Sequence, residues 1–126
     1  MRAVDTNVVV RLIAQDDPRQ LAAAKQFVAP VVWISHLVLA EAVWVLEANY
    51  GFDRRALAGA VDTLLNHAGV SLQDPDVVAA ALAQFRARPG IGFSDCLILE
   101  IARKAGHVPL GTFDRRLGKL DGAEHI

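Results

Sequence analysis

Four acidic residues, Asp5, Glu41, Asp95 and Asp114, stand where a carboxylate can serve either local structure or chemistry. Asp5 interrupts the first apolar stretch, "AVDTNVVVRL" (3–12), Asp95 follows Ser94 at a helix start, and Asp114 closes "VPLGTF" (108–113). Each of these three can cap the helix or turn that follows, because a side-chain oxygen accepts from orphan backbone N–H groups and the helix dipole favours negative charge there. Glu41 poses a different problem. Its helical neighbours at spacings of three and four are Leu37, Val38, Trp44 and Val45, which puts it on an apolar face. Burying it unpaired would be costly or would force it to protonate, so it needs a cation, a donor or water nearby, or an arginine partner at a cleft edge. Glu47, well around the same helix, has no such need.

If the four acids converge they repel one another, and a hard divalent cation held by oxygen ligands relieves that repulsion. Mg2+ or Mn2+ fits this donor set. Zinc does not, since Cys96 is the one cysteine and His36, His67, His107 and His125 are too widely spaced to form a familiar ligand pair. "PGIGFSD" (89–95) lacks the pattern of a phosphate-binding loop with lysine, and no Ser/His or Cys/His pair supports a covalent nucleophile.

The elements that must position these residues alternate along the chain. "RAV" (2–4) reads as a strand ending at Asp5, "VVVRLIAQ" (8–15) as the first helix, and "PRQLAAAKQFVA" (18–29) as a second with Pro18 in its first turn. "VVWI" (31–34) reads as a buried strand, Ser35 as the cap of a helix over 36–50, and Asp53 as the cap of a helix over 54–68. "VSL" (70–72) is a further strand, and Asp74 with Pro75 opens a helix over 74–87. After the break "RPGIG" (88–92), a helix over 94–105, a strand over 108–113, a short basic helical turn and the tail "AEHI" (123–126) complete the order. This predicts an α/β fold with a parallel sheet of four to five strands flanked by helices, in one domain over 1–126. Ligands of such sheets bind beyond the carboxyl ends of the strands, the edge to which Asp5, Asp114 and the Ser35-capped helix carrying Glu41 all belong.

Composition sets the outer bounds. The chain has 126 residues, 53% hydrophobic and 21% charged with five prolines, which fits one globular domain and excludes a disordered one. Arg11, Asp16, Ser35, Glu41 and Glu47 interrupt every apolar run short of a membrane span, and no secretory signal is evident. A soluble protein of the reducing cytoplasm is the expectation. The net charge of −1 excludes a generally basic nucleic-acid surface but leaves local ones, at Arg54-Arg55, Arg103-Lys104 and Arg115-Arg116 with Lys119.

"VDTN" at the start, a glutamate in the helix after the second strand, "GFSDCLIL" (92–99) and "GTFDRRL" (111–117) together resemble the PIN-domain ribonucleases, and within them the VapC toxins of toxin–antitoxin pairs. Each motif is short; their order and spacing cover nearly the whole chain. The resemblance implies a three-layer PIN fold and a metal-dependent endoribonuclease whose acidic quartet falls on Asp5, Glu41, Asp95 and Asp114. Asp5 and Asp95 would be the principal ligands of Mg2+ or Mn2+, with Glu41 and Asp114 completing the site directly or through water. Asn7, Ser94 and Thr112 would orient the acids and bound waters. Many relatives carry alanine in place of Ser94, and some carry a further acid where this chain has Arg115 and Arg116, which leaves fewer ligands for a second metal. Arg115, Arg116 and Lys119 would instead contact RNA phosphates. The resemblance also implies a VapB-like antitoxin lying across an apolar groove around the first and third helices, and a homodimer. Two alternatives stand beside it: a PIN-like binding module without catalysis, and a haloacid-dehalogenase-type phosphatase, which needs an acid where Asn7 stands.

Overall fold

The computed structural model of the chain describes residues 1–28 and 31–126. Within them the chain divides into two compact units, 1–75 and 76–126.

The first unit holds β1 (Arg2–Ala3), α1 (Thr6–Ala14), α2 (Pro18–Val28), β2 (Val32–Ile34), α3 (His36–Tyr50), α4 (Arg54–Asn66) and β3 (Val70–Leu72). Its sheet is parallel in the order β1-β2-β3, with Ala3 beside Trp33 and Ile34 beside Leu72. Parallel neighbours cannot be joined by a tight turn, and here each crossover is a pair of helices, α1 with α2 and then α3 with α4. The central strand alternates as a pleated strand should: Val32 and Ile34 are fully buried while Trp33 is partly exposed. Around them lie Val9 and Val10 of α1, Leu39 and Leu46 of α3, and Val61 and Leu64 of α4, all buried.

Local chemistry sets the helix ends. Ser35 Oγ accepts from Val38 N–H at 3.1 Å and Asp53 Oδ1 from Ala56 N–H at 2.8 Å, each satisfying an orphan donor. Gly51, at φ 67, closes α3 in the left-handed conformation. Two side-chain contacts lay α1 along α3 in the same direction. Thr6 meets Glu41 near the start of α1, and Arg11 donates to the Tyr50 hydroxyl at 2.6 Å near its end. Tyr50 in turn donates to Asp16 Oδ2 at 2.9 Å.

The second unit holds α5 (Pro75–Ala87, from its second residue), α6 (Phe93–Ala105), β4 (Leu110–Thr112), a 3-10 turn over Leu117–Lys119 and β5 (Ala123–His125). Phe85 of α5 meets Phe93 of α6 edge to face, ring centroids 5.8 Å apart. Leu82 and Leu99, on the same two helices, are buried as well.

Most expected elements form, with several differences. Residues 123–126, expected as a tail, supply β5, which pairs in parallel with β4; backbone pairing needs no apolar run to announce it. The connection between them presses so close that a Cβ on Gly118 would lie 2.8 Å from the His125 Cβ, so only glycine fits. The five strands therefore form two ladders, of three and of two, among the described residues. Helix α6 starts at Phe93, one residue before expectation, with Gly92 at the N-cap, because burial of Phe93 fixes the first turn. Asp74 sits in the left-handed region at φ 41 rather than in the extended conformation of a cap, ahead of Pro75. Finally, the expected second helix includes Ala29, which lies outside the described residues.

Candidate functional site

The four acids fall two to each unit. In the first, Asp5 occupies the N-cap of α1, where its Oδ1 accepts from Val8 N–H at 3.3 Å. The capping role open to it from sequence is therefore present, and it uses one carboxylate oxygen. The next residue, Thr6, donates its hydroxyl to Glu41 Oε2 at 2.7 Å. Consecutive residues at the start of α1 thus supply one acid and fix a second. From sequence Thr6 is one of three residues, with Asp5 and Asn7, able to cap α1; the cap is Asp5, and the Thr6 hydroxyl serves Glu41 instead.

Glu41 itself corrects an expectation. It is exposed, and its helical neighbours Leu37 and Trp44 are 70% and 66% exposed. Its donor is the Thr6 hydroxyl, and the need for one comes from orientation rather than from burial. The buried side of α3 is Leu39, Ala42, Val43 and Leu46.

In the second unit, Asp95 lies in the first turn of α6 and is half-buried. Burial and then the charge of Asp114 push its carboxyl above the ordinary aspartate value. The helix dipole, which favours charge at a first turn, is outweighed. Asp114 is held from both sides: its own N–H donates to Thr112 Oγ1 at 3.0 Å, while its Oδ1 accepts from the N–H groups of Arg116 at 2.8 Å and Leu117 at 3.0 Å. Thr112 thus fixes the backbone of the acid it precedes, and Asp114 caps the 3-10 turn with one oxygen.

The remaining expected residues separate. Asn7 lines a hollow of about 380 Å³ with Val8 and Arg11 of α1 and Gln20 and Phe27 of α2. Ser94 is exposed at the second position of α6 and is not its cap, which is Gly92. Arg115, Arg116 and Lys119 are all exposed, and the last two line a second hollow, of about 440 Å³, with Arg88, Gly90 and Ile91.

The donor chemistry suits a hard cation. Asp5 and Glu41 in one unit and Asp95 and Asp114 in the other all offer carboxylate oxygens, and the Asp95–Asp114 repulsion is the electrostatic condition that a divalent ion relieves. Among the described residues, neither unit forms a group of three or more His, Cys, Asp or Glu side chains able to hold a metal. Nor is any described helix long and apolar enough to cross a membrane.

Over residues 2–123 the chain matches the PIN domain family, and it belongs to that family. It is also similar to a VapC ribonuclease of Aquifex aeolicus (strain VF5), 25% identical over 126 residues, covering 95% of this chain and 92% of the relative. No solved structure matches it.

Proposed function

We propose that this protein is a metal-dependent endoribonuclease, the toxin of a VapBC-type toxin–antitoxin pair, acting in the cytoplasm as a single PIN domain. The observation that carries the reading is the PIN domain match over residues 2–123, a span that includes all four acids. The VapC ribonuclease relative supports RNA as the substrate.

Asp5 and Asp95 are the principal ligands of Mg2+ or Mn2+ in this reading, with Glu41 and Asp114 completing the set directly or through water. Bound there, the ion would polarise a phosphoryl oxygen and lower the pKa of a water for hydrolysis of the phosphodiester, with no covalent intermediate. The chain's own residues then have distinct tasks. Thr6 holds Glu41 Oε2, leaving Oε1 to take a ligand or a proton. Thr112 and the turn N–H groups hold Asp114 by its backbone and Oδ1, leaving Oδ2 for the same purpose. Asn7 and Ser94 orient water near the acids, and Arg115 contributes positive charge toward RNA. A VapB-like antitoxin and a second copy of the chain are the proposed protein partners.

The test is incubation of antitoxin-free protein with structured RNA and Mg2+ or Mn2+, beside Asp5→Asn. Cleavage that needs the metal and disappears in the variant is the expected result. No cleavage of any RNA would favour a PIN-fold binding module. Hydrolysis of a small phosphomonoester would point to a phosphatase.

Thr6→Val keeps the shape of the side chain and removes the donor to Glu41. Cleavage is expected to fall about tenfold, mainly in kcat with KM little changed, because a misdirected carboxylate affects the reacting centre rather than RNA docking. Thr6→Ser should restore most of the loss. Equal loss in both variants would show that the hydroxyl has no positioning role.

A further inference from the structure

Glu100, within α6, is 6% exposed, the one charged side chain buried among the described residues. The acidic quartet gives it no task. A carboxylate out of water needs a partner, and the partner lies three residues on: Arg103 Nε donates to Glu100 Oε2 at 3.1 Å. Stability alone does not account for the pair. Taking charges out of water offsets most of their attraction, and packed apolar side chains of the same volume stabilise a fold as well or better. What the hydrogen-bonded pair adds is direction, since it aims a planar guanidinium.

The far end of that guanidinium is bound as well. Arg103 Nη2 donates to the backbone carbonyl of Asp121 at 2.6 Å. Residue 121 passes through Gly122, at φ 87, into β5, and the Gly122 carbonyl accepts from Leu110 N–H at 2.8 Å, where β4 begins. From there β4 runs to Thr112, whose hydroxyl accepts from the Asp114 N–H at 3.0 Å. The helix with Asp95 in its first turn is thus linked by successive hydrogen bonds to the strand that delivers Asp114, all within residues 76–126. Asp95 and Asp114 stand close enough for the charge of one to act on the other, so their spacing has a chemical consequence.

We propose that Glu100 and Arg103 are positioning residues: bonded as a pair, they set where β4 and Asp114 stand relative to α6 and Asp95, and so whether those two carboxylates can share one divalent cation. The catalytic consequence rests on the nuclease reading; the placement of β4 does not.

Two variants of the whole protein test this. Glu100→Met with Arg103→Met replaces the pair by apolar side chains and should keep Tm within about three degrees of the native value. Arg103→Lys leaves the buried carboxylate a cationic partner, but one ammonium does not serve both Glu100 and the Asp121 carbonyl as the planar fork does. In both, residual dipolar couplings of the α6 and β4 amides in metal-free protein should report a changed angle between the two elements. Mn2+ affinity should fall about tenfold, and so should kcat for RNA with KM little changed, the size expected when a group that orients metal ligands is lost. Glu100→Gln, which still accepts from Arg103, should retain most of the native values. A pair serving stability alone would give the opposite: a lowered Tm, with the native angle and Mn2+ affinity in the folded fraction.

Native couplings and Mn2+ affinity in Arg103→Lys would overturn the proposal, even if the double variant failed to fold. A changed angle in the variants, beside a native protein that neither binds Mn2+ nor cleaves RNA, would keep the positioning of Asp114 and overturn the nuclease reading. Cleavage by the native protein, with the native angle and affinity in every variant, would do the reverse.

Discussion

Asp95→Asn is expected to abolish RNA cleavage, by about a thousandfold or more, and at the same time to make the metal-free protein more stable. The two effects have one origin. Burial and then the charge of Asp114 raise the Asp95 carboxyl above the 3.8 of a free aspartate. An acid raised in the folded state binds protons more tightly there than in the unfolded chain. Stability is therefore lost as pH rises from 3.8 through the raised value, and it stays lost at neutral pH. Asparagine has no charge to bury or to set against Asp114, so the variant escapes the penalty. Asp95 is partly open to solvent, so screening keeps the gain small, a rise in Tm of about a degree or two at pH 7. The gain should shrink as pH falls through the window, where the native carboxyl also becomes neutral. Mg2+ should raise the Tm of the native protein, because binding stabilises whichever state binds, and should raise that of the variant much less. Thermal unfolding at several pH values, with and without Mg2+, reads all three. A variant less stable than the native protein at pH 7 would mean that Asp95 carries no unfavourable charge in the fold.

The same residue shows how far the sequence could be read. Asp95, Asp5 and Asp114 were visible as strand-end or helix-start acids because capping and catalysis place carboxylates at the same positions. The structure shows the capping bonds of Asp5 and Asp114 outright. Capping chemistry also made most helix starts legible: Ser35 and Asp53 act as their types predict. Helix α3 was legible as a helix but not in its orientation. It is apolar almost all round, so a period of 3.6 cannot say which face turns inward. Hence Glu41 read as buried, while its neighbours Leu37 and Trp44 stand in solvent. Strand β5 was hidden for the opposite reason, since "AEH" has no apolar run and gains its place through backbone pairing with β4. The Thr6–Glu41 bond joins residues far apart in the chain, and no local pattern encodes such a bond.

The ambiguity of α3 yields a sharp contrast between two leucines. Leu39 is 1% exposed and Leu37 is 70% exposed, two positions apart on the same helix. Leu39→Ala removes three buried carbons and leaves a cavity, and it is expected to cost about 3 kcal/mol. At a urea m-value of about 2 kcal/mol per molar this moves the unfolding midpoint down by about 1.5 M. Leu37→Ala should cost under about 0.5 kcal/mol, because it exposes nothing new. Equal costs would mean that α3 is rotated from the orientation described, and Glu41 would then face inward as its periodicity first suggested. The cheapness of Leu37→Ala has a second consequence. Leu37 and Trp44 flank Glu41 on the exposed side of α3, where a large leucine and a tryptophan contribute little to the isolated fold. If a VapB-like antitoxin covers Glu41, these two side chains are the apolar contacts available to it there. Leu37→Ala and Trp44→Ala should then weaken antitoxin binding about tenfold or more while leaving the urea midpoint in place.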